Sequence, residues 1–297
     1  LAAEARSSGG VYSMAYGDQP ALVAEMVDWA RAAGFRVAAA GKGTKYLPAY
    51  HTVTPDDVWS HYGLTPEAAA EAGMNPQMFN SFLDGTKSAI EMVAIANACD
   101  LAVPEAGLGF PPCGVDDLAH VLRPRDLGGQ LARRGMVETV SSLERDGRPV
   151  FRDLRWGVYI VMRAPTPYVE RCFLEYGFKT DSTGKYSALY RPYHYIGLEL
   201  GISVASAALR HGLHVTAGKT AVSVQAFVHH HEVLRLAKDV VVVAAEKTAN
   251  VDQRVFLGAH GAAIGIGEHF PDDLGHALLC ITRFACLDEP GIFCEAT

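Results

Sequence analysis

The sequence is poor in charge, and poorer in basic than in acidic charge. Across 297 residues, 26 Lys and Arg stand against 33 Asp and Glu, a formal net charge of −7. A nucleic-acid surface needs clustered Lys and Arg to displace counterions from phosphates, so this balance excludes that class of partner. No apolar run reaches the roughly 18–20 residues of a membrane span, and no basic-then-apolar leader is visible, so no membrane association is expected. The six cysteines (Cys99, Cys113, Cys172, Cys280, Cys286, Cys294) include no C-x-x-C pair. They are too sparse for a disulfide framework, which points to a reducing, cytoplasmic setting. No repeat period is visible. Because the chain opens on Leu1 rather than Met, one reading is an internal piece of a longer protein.

What is present is an alternation of strand and helix signals. Residues 11–16 (VYSMAY) suit a strand, Gly17 and Asp18 a turn, and Pro20 the first turn of a helix. Leu22, Met26 and Trp29 form that helix's apolar stripe, Gly34 ends it, and 35–40 form a second strand. This reads as a βαβ unit and predicts a parallel sheet. Cap-Pro-acid patterns at Thr54 and Thr65 predict two helix starts, and one longer helix is expected over about 79–97. Residues 107–117 (GLGFPPCGVDD) form a Gly/Pro-rich loop. A strand over WGVYIVMRAP, a short helix closed by Gly177 and a helix running to about Leu209 follow.

Four groups of residues could carry chemistry. Gly41-Lys42-Gly43-Thr44-Lys45 follows the second strand and resembles a phosphate-binding loop. It lacks the spacing G-x-x-x-x-G-K-[ST], and Tyr46 stands where G-x-G-x-x-G needs its third glycine, so neither nucleotide fingerprint holds. A turn there still offers backbone N–H groups and two ammonium groups for a phosphorylated substrate, or it is an ordinary turn. Asp84, Lys87 and Glu91, at i, i+3 and i+7 of the expected helix, could move protons or bind a divalent metal through Asp84 and Glu91. The alternative is a solvated face with a Lys87–Glu91 pair. Arg191 and His194, among tyrosines at a helix entrance, could handle an anion and a proton, or simply pack. Asp18 and Gln19 sit at a strand-to-helix turn, where capping accounts for Asp18. Downstream, His231-Glu232 misses H-E-x-x-H because position 235 is Arg, so a zincin is excluded, and the His229–His231 tract is read as non-functional.

Several stretches taken together, VYSMAYGDQPALVAEMVDWARAAGF, AAGKGTKYLPAYH, GMNPQMFNSFLDGTKSAIEM, FPPCGVDDLAHVLRP and YRPYHYIGLELGISVASAALR, carry a family likeness. From about residue 10 to 210 the chain resembles the 1-deoxy-D-xylulose-5-phosphate reductoisomerase-like oxidoreductases, also described as homoserine-dehydrogenase-like, SAF-domain proteins. The resemblance implies the catalytic α/β region of a Rossmann-type oxidoreductase over 1–210, with most of the NADP-binding portion lying outside this chain. Residues 211–297 do not match the family's SAF module and form an unassigned segment. The implied reaction is NADPH-dependent conversion of a small phosphorylated ketose in isoprenoid precursor synthesis, with a divalent metal as a possible second cofactor. Lys42, Gly43, Thr44, Lys45 and Arg191 would hold the substrate, while Asp84, Lys87, Glu91 and His194 would do the chemistry. A homo-oligomer is expected. Two other readings stay open: a dehydrogenase of a small amino-acid semialdehyde, and a non-catalytic binding or oligomerisation fragment.

Overall fold

The run Arg36–Thr44 (RVAAAGKGT) is apolar or small at almost every position, the pattern of a strand covered on both faces. In the computed structural model, which describes residues 11–210, 243–247, 253–259 and 262–265, this run is the central strand β2. It pairs in parallel with β3 (Met136–Ser141) and antiparallel with β4 (Val158–Arg163), and β4 pairs antiparallel with β5 (Tyr186–Arg191). The resulting four-stranded mixed sheet has the order β3-β2-β4-β5. The register of β2 shifts between Val37 and Ala39, a β-bulge at its start.

Helix α1 (Gln19–Ala32) starts where the sequence indicates: the Asp18 carboxylate accepts from the Gln19 N–H at 2.8 Å, and Pro20 occupies the first turn. Its stripe is buried at Leu22 and Met26, but Trp29 is 47% exposed and leans on Phe35 at the helix end, a correction to the expected face. Short helices α2 (Pro66–Glu71) and α3 (Pro76–Leu83) open on Thr65 and Asn75, whose side chains accept from backbone N–H groups. The expected start at Thr54 forms no α-helix. Instead Asp57 accepts from the Thr54 N–H and hydroxyl ahead of a single 3-10 turn, Val58–Tyr62.

The expected long helix over 79–97 is in fact two, α3 and α4 (Thr86–Cys99), divided at Asp84-Gly85. Gly85 adopts φ 91°, which a helix interior cannot contain, and the Asp84 carboxylate accepts from the Thr86 N–H and hydroxyl to start the new helix. Asp84 is therefore not on a common helical face with Lys87 and Glu91. The remaining elements are α5 (Leu118–Val121), α6 (Pro167–Glu175) and α7 (Leu200–Arg210).

Strand β1 (Val11–Ser13) does not join β2. It pairs antiparallel with β6 (Val243–Lys247), which leads through β7 (Gln253–Ala259) to β8 (Ala262–Gly265) in a second sheet. The expected βαβ unit is thereby corrected. Both edges of β2 are already occupied, by β3 and β4, so no edge remains for β1. The parallel pairing belongs to β2 and β3, joined by a long crossover that includes α2, α3, α4 and the short helix α5, 118–121.

Two cores flank the main sheet. On one face, α1 and α4 bury Leu22, Val27, Met92 and Ile95 against Val137, Ile160 and Met162. On the other, Leu118, Leu122 and Leu131 pack on Tyr159, Val161 and Tyr186. A satellite cluster of Tyr50, Val58, Trp59 and Leu83 lies under the crossover. No described helix is long and apolar enough to cross a membrane. Cys99, Cys113 and Cys172 are free thiols, and burial pushes the first two up to about 12, which keeps them protonated. The histidine tract and the three C-terminal cysteines lie outside the described residues.

Candidate active site

The Gly-Lys-Gly-Thr segment is strand, not loop. Gly41 to Thr44 carry ladder pairings to Glu138 through Ser141 on β3, so their backbone is not free to cradle a phosphate. A Cβ on Gly41 would lie 1.8 Å from the Glu138 carbonyl oxygen, and one on Gly43 would lie 1.9 Å from that of Leu154. These glycines are needed for close approach of backbone to backbone.

Alternation along β2 directs Lys42 to the helical face. There the first residue of α1 and the second turn of α4 meet it: Lys42 Nζ donates to Gln19 Oε1 at 3.1 Å and to Glu91 Oε2. Lys87 Nζ lies 3.4 Å from Glu91 Oε1 and 4.9 Å from the centre of the Phe82 ring. One buried carboxylate thus serves two ammonium groups. The Lys42 and Glu91 side chains are 5% and 6% exposed, whereas Lys87 keeps 23%, so Lys87 is the member that solvent or a ligand can reach.

Electrostatics sharpen this division. Burial lowers the Lys42 ammonium below the usual lysine range, and Glu91 only partly restores it. Burial acts on Glu91 in the opposite sense, but Lys42 and Lys87 outweigh it and hold the carboxyl below its usual range. Lys87 is raised despite burial, through Glu91 and Asp18. Asp18 is raised by burial and by the Glu91 charge, with Lys87, the Gln19 N–H and His194 opposing. The cluster therefore holds a firm carboxylate (Glu91), a firm ammonium (Lys87), an ammonium inclined to lose its proton (Lys42) and a carboxyl inclined to keep one (Asp18). Opposed shifts among neighbouring buried groups occur both at proton-handling sites and in structural ion-pair networks.

Register extends the site across the sheet. Thr139, Lys42, Val158 and Arg191 are paired in one row and so face the same side. Thr139 Oγ1 is buried without a partner. Arg191 reaches Glu199 Oε1 at 3.0 Å and the Tyr16 hydroxyl at 3.2 Å, and that hydroxyl donates to Glu25 at 2.6 Å. His194 Nδ1 lies 2.6 Å from the Trp156 carbonyl oxygen. A carbonyl only accepts, so Nδ1 carries a proton and Nε2 is the nitrogen left for a ligand.

Of the residues read from sequence, the structure brings Lys42, Lys87 and Glu91 into contact, places His194 within electrostatic reach of Glu91, and sets Arg191 in the sheet row of Lys42. It does not bring Lys45 to them. Lys45 Nζ donates to the His61 carbonyl at 2.7 Å and lies over the Tyr50 and Tyr62 rings, with no partner in common with Lys42. Lys42 and Lys45 do not form one clamp. Asp84 and Glu91 do not share a ligand geometry either: Asp84 is engaged by Thr86 and Asn80, and Glu91 by two ammonium groups. Among the described residues no group of three or more His, Cys, Asp or Glu side chains is placed to hold a metal ion, and a carboxylate already neutralised by lysines is a poor cation ligand.

Three further residues carry only faint signals in the sequence. Asp18 caps α1 and acts electrostatically on Lys87, and Gln19, the first residue of α1, accepts from Lys42. Glu138, alone and acidic in the otherwise uncharged strand MVETVS, marks a charged side chain that must be buried.

A mixed α/β domain with opposed, buried ionisable groups at the ends of its central strand and first helices has the layout of a catalytic domain. The family model described as Oxidoreductase DRL, catalytic domain, matches residues 17–200, and the chain belongs to that family. Asp18, Gln19, Lys42, Lys87, Glu91, Arg191, His194 and Glu199 all fall inside the match. The domain is thus that of an oxidoreductase. A search of curated proteins gives no match.

Proposed function

We propose that this domain reduces, with rearrangement, a small phosphorylated ketose such as 1-deoxy-D-xylulose 5-phosphate. The observation that carries the reading is the cluster of two lysines on one glutamate, of which only Lys87 is open to a ligand. Rearranging and reducing a ketose phosphate creates negative charge on a substrate oxygen, which fixed positive groups in a water-poor site stabilise strongly. Lys87 meets that charge. Lys42, held by Glu91 and Gln19, fixes the Glu91 carboxylate beside Lys87 and so positions Lys87 for that oxygen. His194 Nε2 and Asp18 exchange protons with the hydroxyls, and Arg191 faces the phosphate from its place in the row.

The hydride would come from NADPH. The backbone from Gly41 to Thr44, committed to the sheet, does not cradle its phosphates, and none of the roles above depends on that segment's backbone.

The test is NADPH oxidation by the full-length gene product with the ketose phosphate, its dephosphorylated form and aspartate semialdehyde. Turnover confined to the phosphorylated ketose is the expected result. Turnover with the semialdehyde instead would replace the reading with an amino-acid dehydrogenase. Lys87→Met should lower kcat/KM by about 10²–10³-fold while leaving the thermal melt close to wild type, because its partner Glu91 retains Lys42. A Lys87→Met enzyme of undiminished kcat/KM would remove Lys87 from the chemistry.

A further inference from the structure

Outside the lysine cluster, the buried Glu138 carboxyl on β3 is hydrogen-bonded by backbone N–H groups. Its Oε1 accepts from the N–H groups of Thr139 at 2.9 Å, Gly109 at 3.0 Å and Phe110 at 3.4 Å, and its Oε2 from Gly109 at 3.0 Å. From outside, Arg145 donates to the Gly109 carbonyl at 2.9 Å. The Gly109-Phe110 segment is thereby held from both sides. Phe110 is a non-glycine residue at φ 45°, a conformation that persists only where its surroundings impose it.

The seated ring closes a chain of contacts. Phe110 stacks on Tyr46 with centroids 4.0 Å apart, and its Cζ would meet a Cβ on Gly85 at 3.3 Å. His51 borders the same glycine and faces the Asp84 carbonyl at 2.8 Å. Gly85 is the residue from which α4 starts, and α4 carries Lys87 and Glu91. A Cβ on Gly109 would lie 3.1 Å from Glu138 Oε2, a tight contact that leaves little room beside the carboxyl.

We propose that Glu138 is a positioning residue: with Arg145 it locks the Gly109-Phe110 turn so that the Phe110 ring braces Gly85 and sets the start of the helix bearing Lys87 and Glu91. The importance of that helix rests on the proposed function, but the lock itself does not. Burial raises the Glu138 carboxyl to about 7, with the N–H groups of Thr139, Gly109 and Phe110 and the Arg145 charge opposing. The Tyr159 hydroxyl, on β4, donates to the Glu138 carbonyl at 2.7 Å and is pushed well above its usual range by burial and by Glu138. With the carboxyl raised in the seated loop from its usual 4.5, the seated form binds the proton more tightly than an opened, solvated one. Proton linkage therefore adds most to the seated form below about 4.5, and this contribution is lost as pH rises to about 7.

Hydrogen exchange of the full chain tests this without any assay of turnover. After correction for intrinsic rates, opening of peptides covering 107–117 should increase at least about 10-fold between pH 5 and pH 7.5 in the wild type. Glu138→Gln, neutral at all pH values, should show no such change. Arg145→Ala should raise opening of the same peptides at both pH values and carry the increase into peptides beginning at Gly85. Wild-type opening that does not change with pH, or Glu138→Gln opening that rises as in wild type, would overturn the proposal. So would Arg145→Ala exchange confined to 107–117. If Glu138→Gln does not fold, the wild-type pH series and Arg145→Ala decide the matter, and a substrate assignment that fails leaves these results untouched.

Discussion

Glu91→Ala is expected to lower the unfolding free energy by about 3–5 kcal/mol, the cost of leaving buried charge without its partner. Thermal or urea unfolding at pH 7 measures it. The carboxylate holds Lys42, which has almost no access to water, and among the described residues is the ion-pair partner of Lys87. Without it the two ammonium groups repel each other, and Gln19 alone cannot neutralise either. Lys42 has one escape. Its ammonium is already lowered by burial, and with Glu91 gone it would shed its proton sooner. The deficit of Glu91→Ala should therefore shrink as pH rises, because a neutral amine needs only hydrogen bonds. The double variant Lys42→Met, Glu91→Leu should recover most of the loss, since an apolar pair of similar size removes both buried charges at once. A single variant as stable as wild type would mean that the pair is solvated in solution.

Gly41→Ala and Gly43→Ala should abolish folding, or cost more than about 4 kcal/mol, a range reached only by a few mechanisms. Here the mechanism is direct collision with backbone. The new Cβ would stand 1.8 Å from the Glu138 carbonyl oxygen or 1.9 Å from that of Leu154, and neither has a flexible end that can move aside. Gly34→Ala is the control. That glycine has a positive φ of 86° but nothing within 4 Å of its added Cβ, so it should lose only the roughly 1–2 kcal/mol of a left-handed alanine. Soluble yield and far-ultraviolet circular dichroism separate the outcomes. Equal effects at positions 34 and 41 would show that backbone conformation, rather than close approach, governs β2.

The same glycines show where a sequence stops being informative. Residues 19–32, 158–163 and 167–175 carry local signals, a cap with proline, a β-branched run and a closing glycine, and each forms the element those signals indicate. Gly-Lys-Gly-Thr has the low strand propensity of a turn, and it forms a strand through ladder pairing with Glu138 to Ser141, distant in the chain. Asp84-Gly85 is a helix break that side-chain periodicity passes over, because the apolar spacing continues on both sides. The parallel partner of β2 was not legible either, since pairing depends on which edges other strands leave open. For the site, Lys42, Lys87, Glu91, Arg191 and His194 could each be singled out by residue type. That Glu91 joins the two lysines, and that Lys45 belongs elsewhere, follows only from the faces the strand and helix present.

Those faces depend on the bulge at the start of β2. Val37 packs with the helical core, Ala38 and Ala39 both lie in the opposite core, and Ala40 returns to the helical one. Two neighbours on one side amount to a half-step change of phase, and every residue after them inherits it. In an unbroken alternation from Val37, Lys42 would point into the core of Leu118 and Tyr159, and the two glycines would turn toward α1 and α4. A single out-of-step residue upstream therefore decides which side of the sheet is chemically equipped and which is inert.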